Sequence, residues 1–171
     1  NGKINETIVK RLPLNLKPFP LYEKEDGKVN IAVINESSGC YYGKCSFCTH
    51  PNITGKYQTR DISITIQEVK ETIEKTGIGL FRFAGSTTPV SLSNRIADAL
   101  LTEGLHIEYS MFIRAESKAQ ERLPELVECY EKIIRSGLRA VFLGVEAANN
   151  VVLSKIMDKG GSVEDMYFTV K

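Results

Sequence analysis

The sequence predicts an α/β fold of about four strand–loop–helix units, and three observations carry that prediction. Short β-branched runs alternate with longer stretches whose apolar residues recur at helical spacing. Glycines punctuate most changes of period. The residues of chemical interest fall just after strands, where ligands sit in parallel α/β folds. Such alternation implies parallel pairing through right-handed crossovers. Two layouts meet these conditions, an open doubly wound sheet and part of a (β/α) barrel. Periodicity alone does not separate them.

The elements follow in order. Residues 1–28 read as a lead-in or linker, because RLPLNLKPFPLYEKEDGK has three prolines, mixed charge and no sustained period. The core is expected over 29–171. VNIAVIN (29–35) is the first strand, being rich in β-branched residues. A helix is expected from about Ser63 to Thr76, with Ile62, Ile66, Val69 and Ile73 at helical spacing and Gly77 as its stop. IGLFRFA (78–84) is the second strand, ended by GSTTP. Leu92, Ile96 and Leu100 mark a second helix, stopped by Gly104. HIEYSMFIR (106–114) is the third strand. Leu123, Leu126, Val127, Tyr130 and Ile134 mark a third helix, ended by Gly137. RAVFLGVE (139–146) is the fourth strand, followed by a short helix near 151–157. A last helix begins after Ser162, with Asp165 at the capping-box position. No internal sequence repeat accompanies the repeating architecture.

Bulk properties narrow the function classes. The 171 residues are 42% apolar and 25% charged, enough for a buried core. A formal charge of +1 leaves no electrostatic footprint for nucleic acid or an anionic membrane. No apolar run approaches the roughly 18 residues of a membrane span, and no segment has signal-peptide order. The chain starts at Asn1 rather than Met, and is expected to be a piece of something longer. Of four cysteines, three lie close together, unlike the spread set of a secreted disulfide scaffold. A cytoplasmic location is therefore expected, and the sequons at Asn5, Asn35 and Asn52 are read as chance.

The three clustered cysteines, Cys40, Cys45 and Cys48, lie in SSGCYYGKCSFCTHP. Thiolates are soft ligands for iron or zinc, and two cysteines two residues apart turn both sulfurs to one side. Three thiolates can hold an iron–sulfur cubane and leave one iron open. The same loop with His50 can be read as a structural Cys₃His zinc site, although His50 is only two residues past Cys48. Cys129 sits beside the apolar face of the third helix and is expected to be a core residue. Tyr41, Tyr42, Lys44, His50, Lys56 and Arg60 either shape the cluster or substrate side or, as is expected, are solvated loop residues. A nucleotide-binding α/β domain is disfavoured, because neither GxGxxG nor GxxxxGK[ST] follows any strand.

The loop, the strand order and the later motifs together resemble the radical S-adenosylmethionine (radical SAM) superfamily. Phe47 directly precedes the last cysteine, as an aromatic residue does in the family motif. SMFIRAE, with Arg114, is similar to the family's arginine-bearing strand. The stretch 136–165 looks like its fourth strand and the segment behind it. The chain departs from the family in three ways. Four residues separate Cys40 from Cys45 where three are commonest, a spacing that resembles a subset of the superfamily. FAGSTTP lacks the usual acid for the methionine amine. Four βα units are counted where the family core has six.

The resemblance implies a partial (β/α) TIM-like barrel, truncated after its fourth unit. It implies that Cys40, Cys45 and Cys48 hold a [4Fe–4S] cluster that reductively cleaves SAM to a 5′-deoxyadenosyl radical. It further implies that Phe47 sets its backbone against the adenine. The carbonyls of Ala84 and Gly85, or the hydroxyls of Ser86 and Thr87, take the place of the missing acid. Arg114 pairs with the SAM carboxylate, or else forms a salt bridge to Glu116 or Glu146. Glu146 accepts from the SAM ribose or amine, or else caps a helix. LKPFPLYE resembles the lead-in found where a cobalamin-binding domain precedes this core, which implies cobalamin as a cofactor of the parent. The implied partners are a substrate that the sequence does not identify and an electron donor such as a flavodoxin or ferredoxin. Catalytic residues beyond these binding groups are not legible. Four parallel strands also leave an open edge, so either self-association through it or coverage by the lead-in is expected.

Overall fold

The computed structural model describes residues 12–171; the sequon at Asn5 and the first part of the lead-in lie outside them. In chain order the elements are a 3₁₀ turn at Leu14–Leu16, β1 (Ile31–Ile34), β2 (Ser37–Ser38), α1 (His50–Thr54) and β3 (Gln58–Thr59). Then come α2 (Ile62–Thr76), β4 (Leu80–Phe83), α3 (Val90–Thr102), β5 (Glu108–Ile113), α4 (Leu123–Arg135) and β6 (Leu138–Leu143). A π-helical turn (Val152–Ile156) and α5 (Val163–Val170) complete the chain.

Among the described residues the main sheet is four-stranded and wholly parallel, in the order β1-β4-β5-β6. That order settles the choice of layouts. A doubly wound sheet must reverse its strand order at a switch point. Here each strand is added beside the last in sequence. With right-handed crossovers this puts α2, α3 and α4 on one face, as in a barrel wall. Ala32, Ile34, Phe81, Phe83, Tyr109 and Met111 alternate along the strands and point to that face. They meet Val69, Ile96, Leu100 and Ile133 from the helices in one continuous core. The other face carries Phe112 and Phe142, whose ring centroids are 4.9 Å apart, with the Arg82 guanidinium 4.5 Å over the Phe142 ring.

The sheet's first edge is covered. The Tyr22 hydroxyl donates to the Val33 carbonyl at 2.7 Å and accepts from the Val33 N–H at 2.9 Å. One side chain thus satisfies both outward backbone groups of an edge residue. Tyr22 of the lead-in thus lies against the β1 edge. β6 is flanked only by β5 among the described residues, and most of its side chains are exposed.

One expectation is corrected. Arg60 is not a solvated loop residue: it is 3% exposed and ion-paired with Glu68, which is 1% exposed. It also donates to the Lys17 carbonyl at 2.8 Å and stacks over Phe19. The small antiparallel pair β2–β3 and the five-residue α1 have too few residues to show a period in sequence. The capping box at Ser162 and Asp165 forms as expected.

Candidate functional site

β1, β4, β5 and β6 run in parallel, so the loops at their carboxyl ends converge on one end of the sheet. A cavity of about 760 Å³ opens there. The residues that the resemblance puts at the site all line it: Cys40, Cys45 and Cys48; Phe47; Ala84, Gly85, Ser86 and Thr87; Arg114; and Glu146. They come from four separate segments that only the parallel sheet brings together.

The cysteine loop leaves β1 through the β2–β3 pair, in which Ser37 is opposite Thr59. Its far end docks on the segment after β6. The Ser46 hydroxyl donates to the Ile156 carbonyl at 2.7 Å, and the Ser46 N–H to the Met157 carbonyl at 2.9 Å. The Tyr42 hydroxyl donates to the Asp158 carbonyl at 2.7 Å. Tyr42, singled out as able to shape the cluster side, is thus an anchor of the loop, and Ser46 is a second anchor that the sequence reading missed. All three cysteines are free and partly exposed, as ligands facing a cavity must be.

Arg114 makes neither of the salt bridges considered for it. Its guanidinium lies 4.1 Å over the Tyr42 ring, reaches Cys45 Sγ at 3.7 Å, and donates to the Lys159 carbonyl. Glu116 pairs instead with Arg122 at 3.7 Å. Glu146 is not a helix cap; its carboxylate takes Lys159 Nζ at 3.2 Å. Glu146 also holds φ at 62°, a left-handed conformation unfavourable for a side-chain-bearing residue and found preferentially at functional sites. Lys159 is 8% exposed, lies over the Phe47 ring, and lines the cavity. The sequence reading passed over Lys159 and Gly144, another wall residue. The only signals for them were a KGG turn and a glycine at a strand end.

His50 Nε2 is hydrogen-bonded to the Ser86 hydroxyl, so His50 is part of the cavity wall and not a solvated loop residue. Among the described residues no three His, Cys, Asp or Glu side chains converge closely enough to hold a single metal ion. A cubane distributes its thiolates over different irons and tolerates wider separation. The donor chemistry fits it as well: three unpaired thiols share one cavity, with a guanidinium beside one of them.

The cavity floor is apolar, formed by Phe112, Phe142, Ile113 and Val141. The hydroxyl of Thr87 on its wall is buried and has no hydrogen-bond partner. No backbone hydrogen bond to the carbonyls of Ala84, Gly85 or Ser86 is formed among the described residues. The arrangement therefore offers a soft-ligand end, a wall of acceptors, and a Lys–Glu–Arg cluster opposite.

No family model matches the chain. It is 37% identical over 110 residues to the ribosomal protein uS12 methylthiotransferase RimO of Campylobacter fetus, a match covering 61% of the chain and 24% of that relative. It is 27% identical over 127 residues to the anaerobic magnesium-protoporphyrin IX monomethyl ester cyclase of Cereibacter sphaeroides, covering 73% of the chain and 20% of that relative. The chain thus spans about a quarter or less of the length of these relatives. Two solved structures of TsrM, a radical S-adenosylmethionine methyltransferase from Kitasatospora setae, share the fold. One, with tryptophan and a SAM analogue bound, has TM-score 0.67 and 18% identity over 83% of the chain and 28% of TsrM. The other, with cobalamin and a [4Fe-4S] cluster bound, has TM-score 0.63 and 20% identity over 82% of the chain and 26% of TsrM.

Proposed function

We infer that this chain belongs to the radical SAM superfamily and supplies the cluster- and SAM-binding part of such an enzyme, a reading supported by its likeness to RimO, to the cyclase and to the TsrM fold. The observation that carries the reading is the sharing of one cavity by the three cysteines and the carboxyl ends of β4, β5 and β6. In this reading Cys40, Cys45 and Cys48 would hold a [4Fe–4S] cluster with one iron left open, and the rest of the cavity lining would hold S-adenosylmethionine. When bound, the cluster supplies the electron that cleaves S-adenosylmethionine reductively, giving the 5′-deoxyadenosyl radical.

The chain's own residues position and shelter. The carbonyls of Ala84 and Gly85, with the Ser86 and Thr87 hydroxyls, accept from the ligand's amine in place of an acidic side chain. Arg114 and Lys159 face its carboxylate, and Glu146 accepts from its ribose or amine. Phe47 closes the side near Lys159, at 49% exposure, and is free to pack on an adenine. Phe112 and Phe142 supply an apolar part of the lining. The domain division at residue 28 belongs to this same proposal.

For the whole protein we extend the reading to cobalamin assistance. Its support is the LKPFPLYE stretch and the cobalamin bound in one TsrM structure. The electron would come from a flavodoxin or ferredoxin. No helix among the described residues is long and apolar enough to cross a membrane.

Anaerobic reconstitution with iron and sulfide tests the reading. The expected product is brown, with about four irons per chain and visible charge-transfer absorbance. Cys40→Ala, Cys45→Ala and Cys48→Ala should each lose it, and Cys129→Ala should keep it. A colourless protein with one zinc per chain would establish the zinc-module reading instead.

A further inference from the structure

Glu36 lies just past β1 and four residues before Cys40, and it is 1% exposed. A carboxylate removed from water is unfavourable unless its oxygens are hydrogen-bonded. Here every hydrogen-bond partner is a donor. The Gly85 N–H lies 3.2 Å from Oε1 and 3.0 Å from Oε2. The Thr88 hydroxyl donates to Oε1 at 2.6 Å and the Ser37 hydroxyl at 3.4 Å. No cation is ion-paired with it among the described residues.

The segment it grips is the cavity wall after β4. Backbone bonds hold the ends of that segment, from Ala84 N–H to the Ile34 carbonyl and from Thr88 N–H to the Phe112 carbonyl. Between them, Glu36 supplies the hold on the Gly85 amide. A Cβ at position 85 would stand 2.1 Å from Ser37 Oγ and 2.2 Å from Glu36 Oε1, so only glycine admits the carboxylate this closely. The Glu36 carbonyl in turn accepts from the Arg60 N–H at 2.8 Å, where the cysteine loop returns. One residue therefore ties the base of the cysteine loop to the wall across from it.

We propose that Glu36 is a positioning residue for the SAM-binding wall. Its carboxylate reaches from the end of β1 and holds Gly85 and Thr88 from behind, so that the wall's carbonyls and hydroxyls remain presented to the cavity. The FAGSTTP segment has no acid of its own; the acid comes from another strand and acts on the backbone, not on the ligand. The proposal rests on the radical SAM reading above.

Two readouts in the full chain test it. Without cofactors, hydrogen exchange across residues 84–88 should quicken about tenfold or more in Glu36→Ala, the scale of lost charge-assisted hydrogen bonds. Glu36→Gln keeps an acceptor oxygen and should stay within about threefold of the parent chain. After reconstitution, Glu36→Ala should keep its iron content but bind SAM about tenfold more weakly or worse, with most of the loss restored in Glu36→Gln. Thr88→Val removes one bond and should weaken SAM about three- to tenfold, which decides the matter if Glu36→Ala does not fold. Unchanged exchange and affinity in both Glu36→Ala and Thr88→Val would overturn the proposal, as would a Glu36→Gln variant as impaired as Glu36→Ala. If the parent chain takes up no cluster or SAM, the radical SAM reading fails instead, while the exchange experiment still shows whether Glu36 holds the segment.

Discussion

Replacing Arg60 by methionine removes a guanidinium from the interior while keeping most of its aliphatic volume. The Arg60 and Glu68 side chains are 2% and 1% exposed, so the carboxylate left behind has no water to turn to. Breaking a buried pair from one side costs about 3–5 kcal/mol. Loss of the bond to the Lys17 carbonyl and of the stacking on Phe19, 5.1 Å from the guanidinium, acts in the same direction. For a chain of this size the midpoint of thermal unfolding should fall by about 6–20 °C. The loss should also depend on pH. Burial already raises the Glu68 carboxyl above its ordinary 4.5, and Arg60 pulls it back. Without Arg60 it rises further, so the folded variant binds a proton more tightly than the unfolded one. That contribution is fully present below 4.5 and is lost as pH rises through the folded-state value. Urea unfolding of both proteins at pH 5 and pH 7.5 measures this. A loss below about 1 kcal/mol, or an equal loss at both pH values, would refute the reasoning.

The same sign applies to the unsubstituted protein. Burial raises Glu36, Glu68 and Glu116, so urea midpoints should increase as pH falls from about 7.5 to 5. The depressed carboxyls of Glu71, Glu125 and Glu164 lose their contribution only below that range. Tyr22→Phe leaves both outward groups of Val33 without their partner. It should cost about 1–3 kcal/mol in unfolding and accelerate exchange of the Val33 amide. In Gly160→Ala the new methyl would meet the Tyr42 ring at 2.3–2.4 Å, at a backbone φ of 69°. The variant should lose about 1–3 kcal/mol and retain less iron after reconstitution, because Tyr42 anchors the cysteine loop to Asp158.

Much of this molecule is local, and what is local can be read in one dimension. The four main strands and the three long helices follow from period and punctuation, and they fall within a few residues of expectation. The cysteine loop is legible because its three cysteines are neighbours in sequence. Ala84, Gly85, Arg114 and Glu146 are legible because a parallel sheet gathers whatever follows its strands at one end. Tertiary structure decided the rest, wherever partners are distant in sequence. Arg60 lies in a polar stretch that looks solvated until Glu68 and the lead-in enclose it. Arg114 meets Cys45 and Tyr42, not the nearer carboxylates. Glu36 looks like an ordinary loop acid until Gly85, 49 positions away, closes on it. A periodic pattern states which face of an element is buried. It carries no information about which polar group arrives from another strand, because that depends on the order and register in which the strands assemble.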